Sequence, residues 1–292
     1  MTVLRKGCAP LGVLDVTEVD LGRCVSLQLL GFQFFLPTFL QCTLEPECKN
    51  FAFKTPMEPK RIAIISDIHG NLEALSRALE VIDKEHVDDI VCLGDTVGYG
   101  ANPVECLKLI RSRCSIILLG NHDAASINLA VANQFTLNAQ LSAIWTFGAL
   151  DEESKAFLNS LKPTRPLGEV LLSHGSPYEP DEWHYVISEF DMREAFRAFT
   201  ERICFVGHSH IPIIFSEHGE RSEIARQGRF IVNVGSVGQP RDGNPNLSFG
   251  IFDREEWSYR NLRVAYDFKT AAKKIKDAGL PRALADRLTV GM

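Results

Sequence analysis

From residue 57 onward, short apolar runs alternate with segments that are apolar on one side only, and this order predicts an α/β fold. Arg61-Ile-Ala-Ile-Ile-Ser66 is an unbroken apolar run, the pattern of a buried strand. Leu72, Leu75, Leu79 and Ile82 then recur at helical spacing, with Asn71 placed as N-cap. Asp89-Ile-Val-Cys-Leu93 predicts a second strand and Pro103 to Arg111 a helix, since proline is favoured in a first turn. Ser115-Ile-Ile-Leu-Leu119 predicts a third strand. Such a βαβαβ order calls for a sheet with helices on its faces.

Six further strand-like runs follow: Glu169 to Ser173, Ile203 to Val206, Ile211 to Ser216, Phe230 to Val234, Ser248 to Phe252 and Trp257 to Val264. Little helix separates those after residue 200, which predicts antiparallel pairs on one side of a sandwich. Ala124 to Leu150 predicts helices beside the strand ends. Lys269 to Lys276 and the residues after Pro281 predict a short helical tail. The expected organisation is an extension at 1–56, a catalytic-type domain at 57–267 and the tail at 268–292.

The extension has a different texture. Cys24 to Leu44 runs 21 residues without a charge, a length that could span a bilayer. Gln28, Gln33, Pro37, Thr38 and Gln41 interrupt it, and Asp15, Glu18 and Asp20 precede it where a secretory signal would be basic. It reads as an upstream extension without a fold of its own, with Met57 as the start of the domain.

Composition adds boundaries. Hydrophobic residues make up 45% and charged residues 23% of the 292, enough for a sizeable core that needs no metal or disulfide merely to fold. The net charge of −6 argues against nucleic acid or an anionic membrane as a stable partner. No cysteine forms a CxxC pair, and Cys92 and Cys204 lie in apolar runs, the place of buried reduced thiols. A cytoplasmic location is the expectation that follows.

The chemistry concentrates where strands are predicted to end, the edge at which α/β sheets bind their ligands. Asp67-Ile-His69-Gly70-Asn71 follows the first strand and Gly94-Asp95 the second. Gly120-Asn121-His122-Asp123 follows the third, Ser173-His174-Gly175 a later one, and Gly207-His208-Ser209-His210 another. In Asp67-x-His69 and His208-x-His210, alternate residues after a strand point the same way, so each pair can meet one cation. Carboxylate and amide oxygens mixed with imidazoles suit Mn, Fe, Zn, Ni or Co better than Ca. Glycines before Asp95, Asn121 and His208 allow sharp turns and close backbone approach. His86, His184 and His218 fall outside these motifs and read as ordinary loop residues.

In this order the motifs resemble the signature of the calcineurin-like metallophosphoesterase superfamily: D-x-H, G-D, G-N-H-D, a lone His, then G-H-x-H. The stretches Gly94 to Pro103 and Asn233 to Arg241 resemble its small bacterial and archaeal phosphodiesterase branch. The resemblance implies a four-layer α-β-β-α sandwich with mixed sheets. It implies two divalent metals about 3.5–4 Å apart, one held by Asp67, His69 and His210, the other by Asn121, His174 and His208, with Asp95 bridging. A hydroxide between the metals would attack the phosphorus of a small phosphorylated substrate. His122 would stabilise the transition state and protonate the leaving oxygen, with Asp123 as the acidic partner that orients it. Asp123 also reads as a helix N-cap ahead of Ala124.

Arg241 could grip phosphate or stand on a mobile surface loop, and Tyr99 could line the cleft or cap the core. Protein phosphatases of the superfamily read G-D-x-x-D-R-G where this chain has Gly98-Tyr99 in place of Asp-Arg. That departure favours a phosphodiesterase or broadly selective phosphoesterase over a protein Ser/Thr phosphatase or a dinucleoside tetraphosphatase. A non-catalytic scaffold of the same fold remains the reading from another class.

Overall fold

The alternation of side chains along each strand dictates how the layers stack. In the computed structural model, which describes residues 59–221 and 223–292, the predicted extension at 1–56 lies outside the described residues. The chain order is β1 (Arg61–Ile65), α1 (Leu72–Ile82), β2 (Asp89–Cys92), α2 (Pro103–Arg113), β3 (Ile116–Ile117), α3 (Asn121–Ala125), α4 (Leu137–Ala149) and α5 (Glu152–Ser160). There follow β4 (Thr164–Leu167), β5 (Val170–Ser173), α6 (Glu189–Arg197), β6 (Ile203–Val206), β7 (Ile213–Ser216), β8 (Gly219–Arg221) and β9 (Phe230–Asn233). The chain closes with β10 (Leu247–Asp253), β11 (Ser258–Val264), α7 (Phe268–Asp277) and α8 (Arg282–Arg287).

Ile62 and Ile64 of β1 point to one face and join Phe205, Val232 and Leu172 of other strands. Ala63 and Ile65 point to the opposite face and pack on Ala74, Leu75 and Leu79 of α1. In β6, Ile203 and Phe205 face the first sheet, whereas Cys204 and Val206 meet Met192, Ala195 and Phe196 of α6. Period-two alternation thus gives four layers, α-β-β-α, with an apolar seam between the sheets. Phe205 and Phe252 meet in that seam with ring centroids 5.3 Å apart. Burying each such ring stabilises the fold by about 1.5–3 kcal/mol, so the seam needs no cation to hold.

The first sheet runs β11-β10-β1-β2-β3 and the second β4-β5-β6-β9-β7-β8. β1, β2 and β3 are parallel, as are β5, β6 and β9. The antiparallel pairs expected on one side of the sandwich are divided between the sheets. β7 pairs with β8 and β9 in the second, while β10 crosses to β1 and pairs with β11 in the first. A hairpin needs only the free edge that its first strand reaches, so the first sheet closes one margin this way and the second closes both, β4 pairing antiparallel with β5 at its other end.

Local signals explain the main boundaries. Asn71 caps α1, its Oδ1 accepting from the Ala74 N–H at 3.1 Å. β7 begins after Pro212, which has no N–H to give a ladder. β3 pairs only through Ile116 and Ile117, because the chain must turn at Gly120 to enter α3. The C-terminal helices lie on the same body: Ala271, Ala272, Ile275, Leu284 and Leu288 pack with Tyr99.

Candidate metal centre

Every motif residue sits just past a strand end. Asp67 and His69 follow β1, Asp95 follows β2, Asn121 opens α3 after β3, His174 follows β5, and His208 and His210 follow β6. The loops are knitted to one another. The Asp67 N–H donates to Gly94 O at 3.0 Å, His69 N–H to Asp95 O at 2.9 Å, and Gly207 N–H to His174 O at 2.9 Å. His208 N–H reaches Asp67 Oδ2 at 3.0 Å, and His122 N–H reaches Asp95 Oδ1 at 2.8 Å. The last approach depends on Gly120, since a Cβ there would lie 2.1 Å from Asp95 Oδ1.

The i, i+2 pairs converge, though not as continued strands. Asp67, His69, Asp95, His208 and His210 all adopt left-handed backbone, with φ between 50° and 65°. Asp and His enter that region more readily than most residues, and it turns both members of each pair into the same pocket.

The cluster has two lobes: Asp67, His69 and His210 in one, and Asp95, His174 and His208 in the other, the ligand atoms of each lying within 4.8 Å of one another. All six are buried. Asp95 Oδ2 lies between the lobes, 3.6 Å from His69 Nε2 and 3.5 Å from His174 Nε2. It has no hydrogen-bond partner. Asn121 Oδ1 stands 3.2 Å from His174 Nε2 and so joins the second lobe. None of His86, His184 and His218 belongs to either group.

The histidine tautomers fit metal ligation. His69 Nδ1 faces Val97 O at 3.2 Å, His174 Nδ1 faces Leu93 O at 3.0 Å, and His210 Nδ1 faces Gln239 O at 2.5 Å. A carbonyl can only accept, so each Nδ1 carries a proton, and in the neutral ring Nε2 keeps its lone pair. His69 Nε2 and His210 Nε2 then face each other at 3.1 Å. Two lone pairs so close repel unless a cation lies between them. An orphaned carboxylate oxygen and paired imidazole donors therefore fit divalent metals in both lobes.

Charge points the same way. Burial drives His69 well below its ordinary pKa, His208 down to about 3 and His122 down to about 4; it also lowers His210, helped by Arg241. For Asp67 and Asp95 burial acts upward. The imidazoles of His210 and His174, respectively, outweigh it and hold both carboxylates below the usual range. His174 is the exception among the histidines: burial opposes its charge, but Asp95 raises it to about 9, so a metal at this lobe must displace the proton on its Nε2. Two ionised carboxylates in a buried pocket require compensating positive charge.

Around the pocket the other expected residues divide. His122 is buried with Nδ1 unpartnered, and its ring packs on Tyr99, Phe135 and His69 at centroid distances of 4.3, 4.7 and 5.1 Å. Asp123 does not orient it. Its Oδ1 accepts from Val97 N–H and its Oδ2 from Gly120 N–H, both at 3.0 Å. Neighbouring helical residues project about 100° apart, which turns Asp123 away from the His122 ring. Nor is Asp123 the N-cap: α3 begins at Asn121 and places Asp123 in its first turn. Burial, then the charge of Asp95, pushes Asp123 up to about 7.

Tyr99 does both things open to it, lining the cleft while packing against α7 and α8. Arg241 donates to Tyr99 Oη at 3.3 Å and to Gln239 Oε1 at 3.1 Å. A cleft of about 480 Å³ opens over Asn121, His122 and His208 and is rimmed by Tyr99, Arg241 and Phe135. Trp183, Tyr185 and Arg287 also line it, as do Glu182 and the C-terminal Met292. These had no sequence signal, for they belong to no motif and only the fold brings them to the cleft. Tyr185 stacks on His208 at 4.1 Å.

The calcineurin-like phosphoesterase superfamily domain matches residues 61–256. The chain belongs to that superfamily, and by that membership it is a phosphoesterase with a metal-binding pocket. It is 37% identical over 249 residues to an uncharacterized protein of Methanocaldococcus jannaschii, covering 80% of this chain and 100% of that one. It is 25% identical over 206 residues to the phosphodiesterase YfcE of Escherichia coli, covering 67% of this chain and 88% of YfcE. The crystal structure of a metallophosphoesterase from Sphaerobacter thermophilus superposes with a TM-score of 0.72 at 36% identity, over 80% of this chain and 100% of that one. Among the described residues no helix is long and apolar enough to cross a membrane.

Proposed function

We propose that the protein hydrolyses small phosphodiesters or phosphomonoesters using two divalent metals. Asp67, His69 and His210 hold one, Asn121, His174 and His208 the other, and Asp95 lies between. The reading rests on Asp95 Oδ2, an unpartnered buried oxygen 3.6 and 3.5 Å from imidazole Nε2 atoms of separate lobes. Bound there, divalent cations supply an activated water for in-line attack and neutralise charge on the phosphoryl oxygens.

The protein supplies geometry and polarity. Carbonyls of Val97, Leu93 and Gln239 fix three imidazole rings before any substrate arrives. His122 lines the cleft next to Asn121 in sequence, and no hydrogen bond to its Nδ1 sets its tautomer. Substrate can therefore set it, and the imidazole can donate to a phosphoryl or leaving oxygen. Asp123 acts at one remove, pinning Val97 and Gly120 so that the second and third motif loops stay in register. Arg241 reaches into the cleft as a donor for a phosphate oxygen.

The test is turnover of bis-p-nitrophenyl phosphate and p-nitrophenyl phosphate across Mn, Fe, Zn, Ni and Co, with bound metal counted on the same samples. Two metals per chain and turnover with at least one ion are expected. Metal bound without turnover of either ester would leave a scaffold, and failure to bind metal would remove the ligand assignment.

A further inference from the structure

Beyond the pocket, the cleft rim carries two guanidinium groups from distant parts of the chain. Arg241 comes from the loop after β9, and Arg287 from the last turn of α8. Neither has a carboxylate partner among the described residues, although most of the other arginines do. Both line the cleft together with Tyr99. Arg241 donates to Tyr99 Oη, and both guanidinium charges act on Tyr99 against the burial that raises its pKa.

The two arginines are also fastened to each other's segment. Gly243 N–H, two residues past Arg241, donates to Gly291 O at 2.9 Å. Gly291 has φ 68°, and a Cβ there would lie 2.5 Å from the Asn244 backbone, so only glycine lets the tail lie this close to the loop. Leu284, Ala285 and Leu288 bury the other side of α8. Arg287 is thus carried on a docked element rather than on a free end.

Charged side chains left unpaired at the mouth of an anion-processing pocket mark where further negative charge is received. We propose that Arg241 and Arg287 form a second anion-binding subsite, which selects phosphate esters bearing another phosphate or comparable anionic group beyond the scissile one. Arg287 is its specificity-determining residue. The proposal rests on the phosphoesterase reading above, and the experiment separates the two.

The probes are thymidine 5′-(p-nitrophenyl phosphate) with and without a 3′-phosphate, assayed on the full chain loaded with its best metal. The wild type is expected to favour the 3′-phosphorylated ester by roughly tenfold in kcat/KM, through KM, the scale of one charge-assisted hydrogen-bonded contact. Arg287→Gln should erase that preference while leaving the plain ester within about twofold, and Arg287→Lys should keep part of it because the charge remains. A wild type without the preference, or an Arg287→Gln variant that retains it, overturns the subsite. So does an equal loss on both esters in Arg287→Gln and Arg287→Lys. A wild type that hydrolyses neither of these esters and neither p-nitrophenyl ester fails at the earlier reading.

Discussion

In the metal pocket, every candidate ligand lies within a few residues of a strand end and is buried, and backbone hydrogen bonds tie most of the motif loops to one another. At the rim of the cleft the side chains, Tyr99 apart, are long and partly exposed, Tyr185 by 45%, and they come from loops and from α8. The pocket is specified by backbone, so its chemistry is fixed before substrate arrives. The rim is specified by side chains on late elements, so it can differ between relatives without disturbing the pocket. Under the proposed function, chemistry and substrate choice are thereby separated along the chain.

Variants can break that separation or sharpen it. The largest effect is expected for Asp95→Asn, which removes the charge shared by both lobes: activity should fall by roughly 10³-fold or more, and metal content measured on the same protein should fall too. Retention of both metals would show that Asp95 does not lie between them. His122→Ala should lose about 10²–10³-fold in kcat while binding metal as the wild type does. Full activity in that variant would remove His122 from the reaction.

Arg241→Ala belongs to the rim. It should weaken competitive inhibition by inorganic phosphate about tenfold, with metal content unchanged. An unaltered inhibition constant would reject a phosphate contact. The smallest effect concerns reactivity behind the pocket. Cys92 lies under the Asp95 loop, and burial pushes its thiol up to about 12. Burial likewise raises Cys106 and Cys204 well above the ordinary range. A raised pKa keeps the thiol protonated at pH 8, so iodoacetamide should leave these three unlabelled in the folded protein. Rapid labelling of Cys92 would mean that the pocket is as open as the rim.

The same division governs what the sequence discloses. The first strand and helix were legible because Ile62 to Ile65 and Leu72 to Ile82 carry unmixed periodicities and Asn71 is a ready cap. The five motifs were legible because ligand chemistry demands those residue types at strand ends. β4 gave no signal, since Pro166 lies inside it and an edge strand tolerates that residue. The turning away of Asp123 was hidden because the start of α3, and with it the direction of each side chain, depends on where β3 stops. Arg287 was invisible because nothing local to α8 records that Tyr99 lies beneath it.

The left-handed backbone of Asp67, His69, Asp95, His208 and His210 has a consequence for engineering. A residue other than glycine in that conformation costs about 1–2 kcal/mol. Replacing His208 by glycine would relieve its share while its backbone N–H kept the bond to Asp67. A search for heat-resistant variants that ignores turnover would therefore be drawn to these loops and would return hardy, inert proteins. Robustness and competence compete at the same few backbone angles.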